Sequence, residues 1–397
     1  MWLLSGVGSR AAADVRLQLR PEHQAHAERI QDAAAEAITQ FTEWFGDAPF
    51  EQLTIESVSA GQAPAADQRG RVSVPMHWLQ PARSLLMEAE IARGIARQWW
   101  GVAVIMPDQF LADGIADYAQ SRTVERIYDR RHQRLAYSTY EARYFGGLLP
   151  WAIRALRLDR TASGINRSEY RRHPDVDVRT ADAELRSARA AKVAAALLTL
   201  ERHIGWPSLQ RGLRLAMDRY RGKTMTAEDF GRTMSDAADR DLTWFFDPVF
   251  NGPTHWDYAV ESIASEPLGN SSCGAGPCIR STVVIQRIGN TAFTGTVHQP
   301  MGGFQAGRAM EIELRFADGQ TISERWDGRD ERRTLVFDAP SPVVIATVDP
   351  RDVLALDLKR LNNRRSTANA TSAGLVAWTA RWTIWLQDLL LTHAALF

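Results

Sequence analysis

From Glu22 to about Phe45 apolar residues return every three or four positions, at Ile30, Ala34, Ile38, Phe41 and Phe45. That period predicts a long amphipathic helix, closed by Gly46. Ahead of it, Val15 to Leu19 alternates as a short strand does, and after it Leu53–Val58 and Arg71–Pro75 read as strands around a Gly/Pro/Ala loop. Residues 81–101 and 107–130 read as helices joined at Pro107, and 134–180 as mixed helix and loop. Ala181–His203, Leu209–Tyr220 and Ala227–Ala237 continue as helices, the last with Thr226 as its N-cap ahead of Glu228 and Asp229. The period then changes. Ile279–Ile285, Phe293–Val297, Met310–Phe316 and Thr334–Phe337 alternate or run β-branched, with Asp318-Gly319 as a hairpin turn. Residues 256–360 are therefore expected to form an antiparallel β-sandwich of about seven strands beside a larger helical domain. The fold class expected is α+β and multidomain.

Composition narrows the function classes. With 47 Lys plus Arg against 47 Asp plus Glu, no basic field is present to gather nucleic acid. No stretch reaches the roughly 18 uninterrupted apolar residues of a membrane span, and the first ten residues lack the basic region of a signal peptide. Beyond the linker after Asn362-Asn363, Leu375–Phe397 carries Trp378, Trp382 and Trp385, interrupted by Arg381, Asp388 and His393. It reads either as an interfacial amphipathic helix or as a helix docked on the body. Cys273 and Cys278 share one loop-like stretch with no other ligand type beside them, so a small disulfide or two free thiols fit better than a metal site. A disulfide would favour an extracytoplasmic or membrane-associated location. His23 and His26 stand three apart on what reads as a solvated helix face.

The segment Ala92-Arg93-Gly94-Ile95-Ala96-Arg97-Gln98-Trp99-Trp100-Gly101 is followed by Phe110-Leu111-Ala112-Asp113-Gly114-Ile115-Ala116-Asp117-Tyr118. Together they resemble the signature of the gluzincin aminopeptidases, the aminopeptidase N family, which reads H-E-x-x-H-Q-W-F/W-G and then W-L-N-E-G-F-A-E-Y. In that signature two His one helical turn apart and a Glu on the next helix hold zinc, and the Glu beside the first His takes a proton from zinc-bound water. Placed in register, the two His fall on Arg93 and Arg97, the catalytic Glu on Gly94 and the third ligand on Asp113. Arg offers only N–H donors, and glycine has no side chain to act as a base.

The resemblance runs over roughly residues 15–365. Phe41–Phe50 is similar to the family's F-G-x-Y-P-F block, and Ala191–Gly205 to its Y-x-K-G helix, which puts the transition-state tyrosine on Ala190. The G-x-M-E-N motif is not visible where Ser59-Ala60-Gly61-Gln62-Ala63 stands. The resemblance implies a remnant of an N-terminal β-domain over 1–24, a thermolysin-like α-rich peptidase domain over 25–250, a β-sandwich over 251–365 and a linker with a Trp-rich tail over 366–397. The chain then reads as part of a larger, membrane-associated protein, attached through that tail or through flanking segments. It implies the peptidase fold without the chemistry: no catalytic residue at Gly94 or Ala190 and no metal at Arg93, Arg97 and Asp113. No cofactor is expected. On one helical face Glu90, Arg93 and Arg97 would pair with Asp113 in an ion network, or hold a peptide carboxylate or other anion. The leading expectation is a pseudopeptidase binding peptide or protein. The alternatives are a zinc-dependent aminopeptidase and a structural domain of a membrane-associated assembly.

Overall fold

The computed structural model describes residues 14–59, 68–76, 86–134, 170–268, 278–295, 297–298, 304–305, 310–360 and 362–367. The chain opens with β1 (Asp14–Gln18), a 3-10 turn (Pro21–His26) and α1 (Ala27–Phe45). Strands β2 (Gln52–Ser59) and β3 (Arg71–Met76) follow, and the three strands pair in the order β1-β2-β3, all parallel. A parallel pair needs a long crossover, and α1 supplies it between β1 and β2. Among the described residues, 14–18 form an edge strand of this sheet, in register with β2 from Asp14 opposite Gln52 to Gln18 opposite Glu56.

Next come α2 (Leu86–Trp99), α3 (Gln109–Arg134), α4 (Arg186–Ile204), α5 (Trp206–Tyr220), α6 (Ala227–Ala238) and α7 (Thr243–Phe250). Helix α1 buries Ile30, Ala34, Ile38, Phe41 and Phe45, the face its periodicity predicts. Gly46 closes it at φ 100°, a conformation open to glycine at little cost. The cap of α6 is a full capping box: Asp229 N donates to Thr226 Oγ1 at 3.2 Å, and Thr226 N donates to Asp229 Oδ2 at 3.1 Å. His23, expected on a solvated face, is instead buried inside the 3-10 turn, and burial pulls its pKa down.

The remainder is antiparallel. Strands β4 (Tyr258–Leu268), β5 (Cys278–Arg287) and β10 (Arg332–Ala339) form one sheet in the order β10-β5-β4. Strands β8 (Met310–Phe316), β9 (Thr321–Trp326), β11 (Val343–Val348) and β12 (Arg364–Ser366) form a second, ordered β12-β11-β8-β9. The β8–β9 hairpin turns at Gly319, φ 91°. A two-stranded ladder joins β6 (Val297–His298) to β7 (Phe304–Gln305). The strand expected at 293–297 does not form at Phe293, whose ring is buried against His203, Trp244 and Phe245 while its N–H donates to Tyr258 Oη. That packing holds the backbone in a loop. Cys278, buried at the start of β5, is disulfide-bonded, while Cys273 and the Trp-rich tail lie outside the described residues. Among the described residues no helix is long and apolar enough to cross a membrane. The class is α+β, a helical part followed by antiparallel sheets.

Candidate functional site

Two of the conspicuous sequence blocks meet in one aromatic core. Trp99, the last residue of α2, and Trp100 just after it pack edge-on against Phe41, Phe45 and Phe50, with ring centroids 5.3 to 5.9 Å apart, and the Trp99 indole donates to Gly46 O at 3.1 Å. Gln98, fully buried, latches the turn before β3. It accepts from Gly70 N at 2.8 Å and donates to Gln68 O and Arg71 O, both at 3.1 Å. This core and latch set the position of α2 against β3, and therefore the direction of its other face.

That other face carries Glu90, Arg93 and Arg97, three and four residues apart. Opposite it, α3 presents Asp113 and Asp117, also four apart, while its Leu111, Ile115 and Ala119 are buried. Arg97 Nη1 donates to Asp113 Oδ1 at 2.6 Å. Arg93 Nε donates to Asp117 Oδ1 at 2.5 Å, and its Nη2 to Asp113 Oδ1 at a longer 3.3 Å. From α4, Arg186 Nε donates to Asp113 Oδ2 at 2.8 Å and Nη2 to Asp113 Oδ1 at 3.3 Å. Three guanidinium groups thus converge on a carboxylate that is only 1% exposed. Arg97 also reaches Gln109 Oε1 at 3.4 Å, and Gln109 is itself anchored to Met106 O at 2.9 Å.

The charges settle these groups unequally. Burial alone would raise the Asp113 pKa, but the Arg186 hydrogen bond and the charges of Arg97 and Arg93 outweigh it and hold the carboxyl below its usual range. Asp117 shifts the other way: burial pushes it up, the Asp113 charge adds to that, and Arg93 offsets only part. The Asp117 charge in turn binds the Arg93 proton more tightly than in water. Glu90 is raised by burial, against the charge of Arg93, and among the described residues it has no hydrogen bond or ion pair.

The sequence brought Arg93, Arg97 and Asp113 together, and the structure joins them directly. Glu90 shares their face and stays out of the bonded network. Asp117 and Arg186 were missed. Asp117 was visible only as part of a motif, and Arg186 lies 73 residues from its partner with no motif around it. Ala190 is buried in the seam where α3 meets α4. A Cβ added to Gly114 would stand 2.4 Å from Val193 Cβ and 3.2 Å from Ala190 O, so the two helices touch there through small residues.

The donor set does not suit zinc. A guanidinium has no lone pair to give, and both oxygens of Asp113 already accept hydrogen bonds. Gly94 has no room for a side chain either, since a Cβ there would meet Val72 Cγ1 at 2.3 Å. Among the described residues no group of three or more His, Cys, Asp or Glu is arranged to hold a metal ion.

No protein-family model matches the chain, and no curated protein matches it in sequence. Solved structures do match its fold. It is similar to the crystal structure of Legionella pneumophila aminopeptidase A in complex with aspartic acid, with a TM-score of 0.52 and 14% identity over 87% of this chain and 36% of that one. At this identity the likeness is one of fold, a peptidase-like fold, and the chain spans just over a third of that aminopeptidase's length.

Proposed function

We propose that this chain is a catalytically inactive module of aminopeptidase-like fold, a thermolysin-like helical domain followed by a β-sandwich, which binds peptide or protein. One observation carries the reading. At the positions where the gluzincin signature places two zinc-binding His, a catalytic Glu and a third ligand, this chain has Arg97 and Arg93 bonded to Asp113, with a glycine packed against Val72 between them. Fixed cations there repel a metal ion, and the carboxylate that would have held it is saturated with N–H donors. A peptidase-like scaffold without a metal or a base retains surfaces for peptide recognition but has nothing to activate water.

Metal analysis of the purified chain, together with an aminoacyl-arylamide assay with and without a chelator, tests this. The expected result is zinc far below one equivalent and no chelator-sensitive turnover. Stoichiometric zinc with chelator-sensitive turnover would overturn the reading in favour of a zinc-dependent aminopeptidase.

A further inference from the structure

Of the three guanidinium groups around Asp113, Arg93 is the one whose bonds leave an edge over. Its Nε is committed to Asp117, and its Nη2 makes only the long 3.3 Å contact to Asp113, whose oxygens are held more closely by Arg97 and Arg186. Its Nη1 has no hydrogen-bond partner among the described residues. The Arg93 side chain is 32% exposed, against 9% for Arg97, so it is the side of the α2–α3 pair that meets solvent. Arg186, 58% exposed, adds a second positive charge bonded to the same buried carboxylate.

A guanidinium fixed in this way is a preformed donor site. Its orientation is set by the Asp117 bond, so little side-chain freedom is lost when a ligand arrives. It offers only donors, so the ligand must bring acceptors, and an anion binds best because the bond is then charge-assisted. The ligand's own charge decides which anion. Asp113, Asp117 and Glu90 stand beside the same guanidinium and limit the net attraction for a negative charge. Attraction and repulsion both double for a dianion such as phosphate, while the cost of stripping its water rises with the square of its charge, so a planar monoanion is favoured. We propose, resting on the peptide-binding reading above, that the open edge of Arg93 binds a carboxylate, supplied by the C-terminus or by an acidic side chain of a peptide. Glu90, on the same face one helical turn away, opposes that binding.

Calorimetry on the full chain at constant ionic strength tests it, using N-acetyl-alanyl-alanine, its C-terminal amide, N-acetyl-aspartate α-amide (side-chain carboxylate free) and inorganic phosphate as probes. Both carboxylate-bearing probes are expected to bind at least about tenfold more tightly than the amide, and more tightly than phosphate. The ratio between the two carboxylates tells a chain terminus from a side chain. Arg93→Gln should abolish the preference for acid over amide, and Glu90→Gln should sharpen it. Because Arg93→Gln leaves Asp117 buried without its cation, the double variant Arg93→Gln/Asp117→Asn is measured beside it, with the same loss expected. Equal binding of acid and amide, tighter binding of phosphate, or an unchanged preference in the folded double variant would overturn the proposal. Zinc-dependent turnover would defeat the inactive-module reading while leaving this comparison of probes intact, so the two failures are distinguishable.

Discussion

A β-carbon on Gly94 of α2 would stand 2.3 Å from Val72 Cγ1 on β3, well inside contact distance. Val72 is buried and β-branched, with few rotamers to retreat into. In an exposed helix interior, Gly→Ala gains up to about 1 kcal/mol. Here the overlap dominates, and Gly94→Ala is expected to lose roughly 1–3 kcal/mol by urea unfolding. Val72→Ala should recover most of that loss in the double variant. If Gly94→Ala alone is neutral, the helix and strand are not in the close contact described. The same contact means that Gly94→Glu by itself does not rebuild a catalytic base.

The ion network predicts an order of costs. Arg97 bonds the buried Asp113 at 2.6 Å and is itself nearly buried, so Arg97→Ala should lose about 3 kcal/mol or more. Arg186 makes two bonds to the same carboxylate from an exposed position, and Arg186→Ala should cost about 1 kcal/mol or less. The double variant Arg97→Ala/Asp113→Ala should be less destabilised than the sum of its singles, since the charges of the buried pair leave together and the arginines that lose Asp113, Arg93 and Arg186, reach solvent. Urea titrations of the set give the coupling directly, and additive losses would contradict the pairing.

The arginine pair and Asp113 were legible because Gln98, Trp99, Trp100 and Gly114 keep a recognisable frame around them, and because a 3.6-residue period puts Arg93 and Arg97 on one face. What the frame cannot convey is a partner from elsewhere in the chain. Arg186 on α4 and the Arg29–Glu88 pair, bonded at 2.7 and 2.8 Å between the start of α1 and α2, depend on tertiary packing alone. Local patterns misled where packing overrode them. Phe293 lies in a β-like run but is claimed by an aromatic cluster, and His23 lies in a polar run but is folded under the 3-10 turn. The edge strand β1 was legible as a strand but its partner was not, because pairing with β2 is a non-local fact.

Asp357, buried near Asp257, makes stability depend on pH. It accepts from Lys359 N and from Asn363 Nδ2, both at 3.0 Å, yet burial pushes its pKa up to about 7, with the Asp257 charge adding to the shift. The folded state therefore holds a proton that the unfolded state releases near pH 4. The stability this contributes is present below about pH 4 and is lost as pH rises towards 7. Asp357→Asn cannot ionise, so its stability relative to the natural chain should grow across that window by up to about 4 kcal/mol and level off above it. Urea unfolding of both proteins at pH 4.5, 6 and 8 measures the difference. A constant difference would show that Asp357 titrates normally.

His203 gives a dependence of the opposite sign. At the end of α4 its ring packs edge-on against Trp244 of α7 and Phe293, at 5.7 and 5.5 Å between centroids, so it ties the helical part to the loop after β5. Burial, with a smaller contribution from the Arg240 charge, lowers its pKa from 6.5 to about 4. Between those values the unfolded chain takes up a proton that the folded chain refuses, so the folded state weakens as pH falls from 6.5 towards 4, by roughly 3 kcal/mol in total. A phenyl ring fills nearly the same volume and keeps the edge-on contacts, but it cannot be protonated. His203→Phe should therefore match the natural chain near pH 7 and exceed its stability by a growing margin down to pH 4. Urea titrations at pH 7, 5.5 and 4.5 test this. Parallel losses in both proteins would place the acid sensitivity elsewhere, and a large deficit of His203→Phe at pH 7 would mean that the imidazole makes a bond a phenyl ring cannot replace.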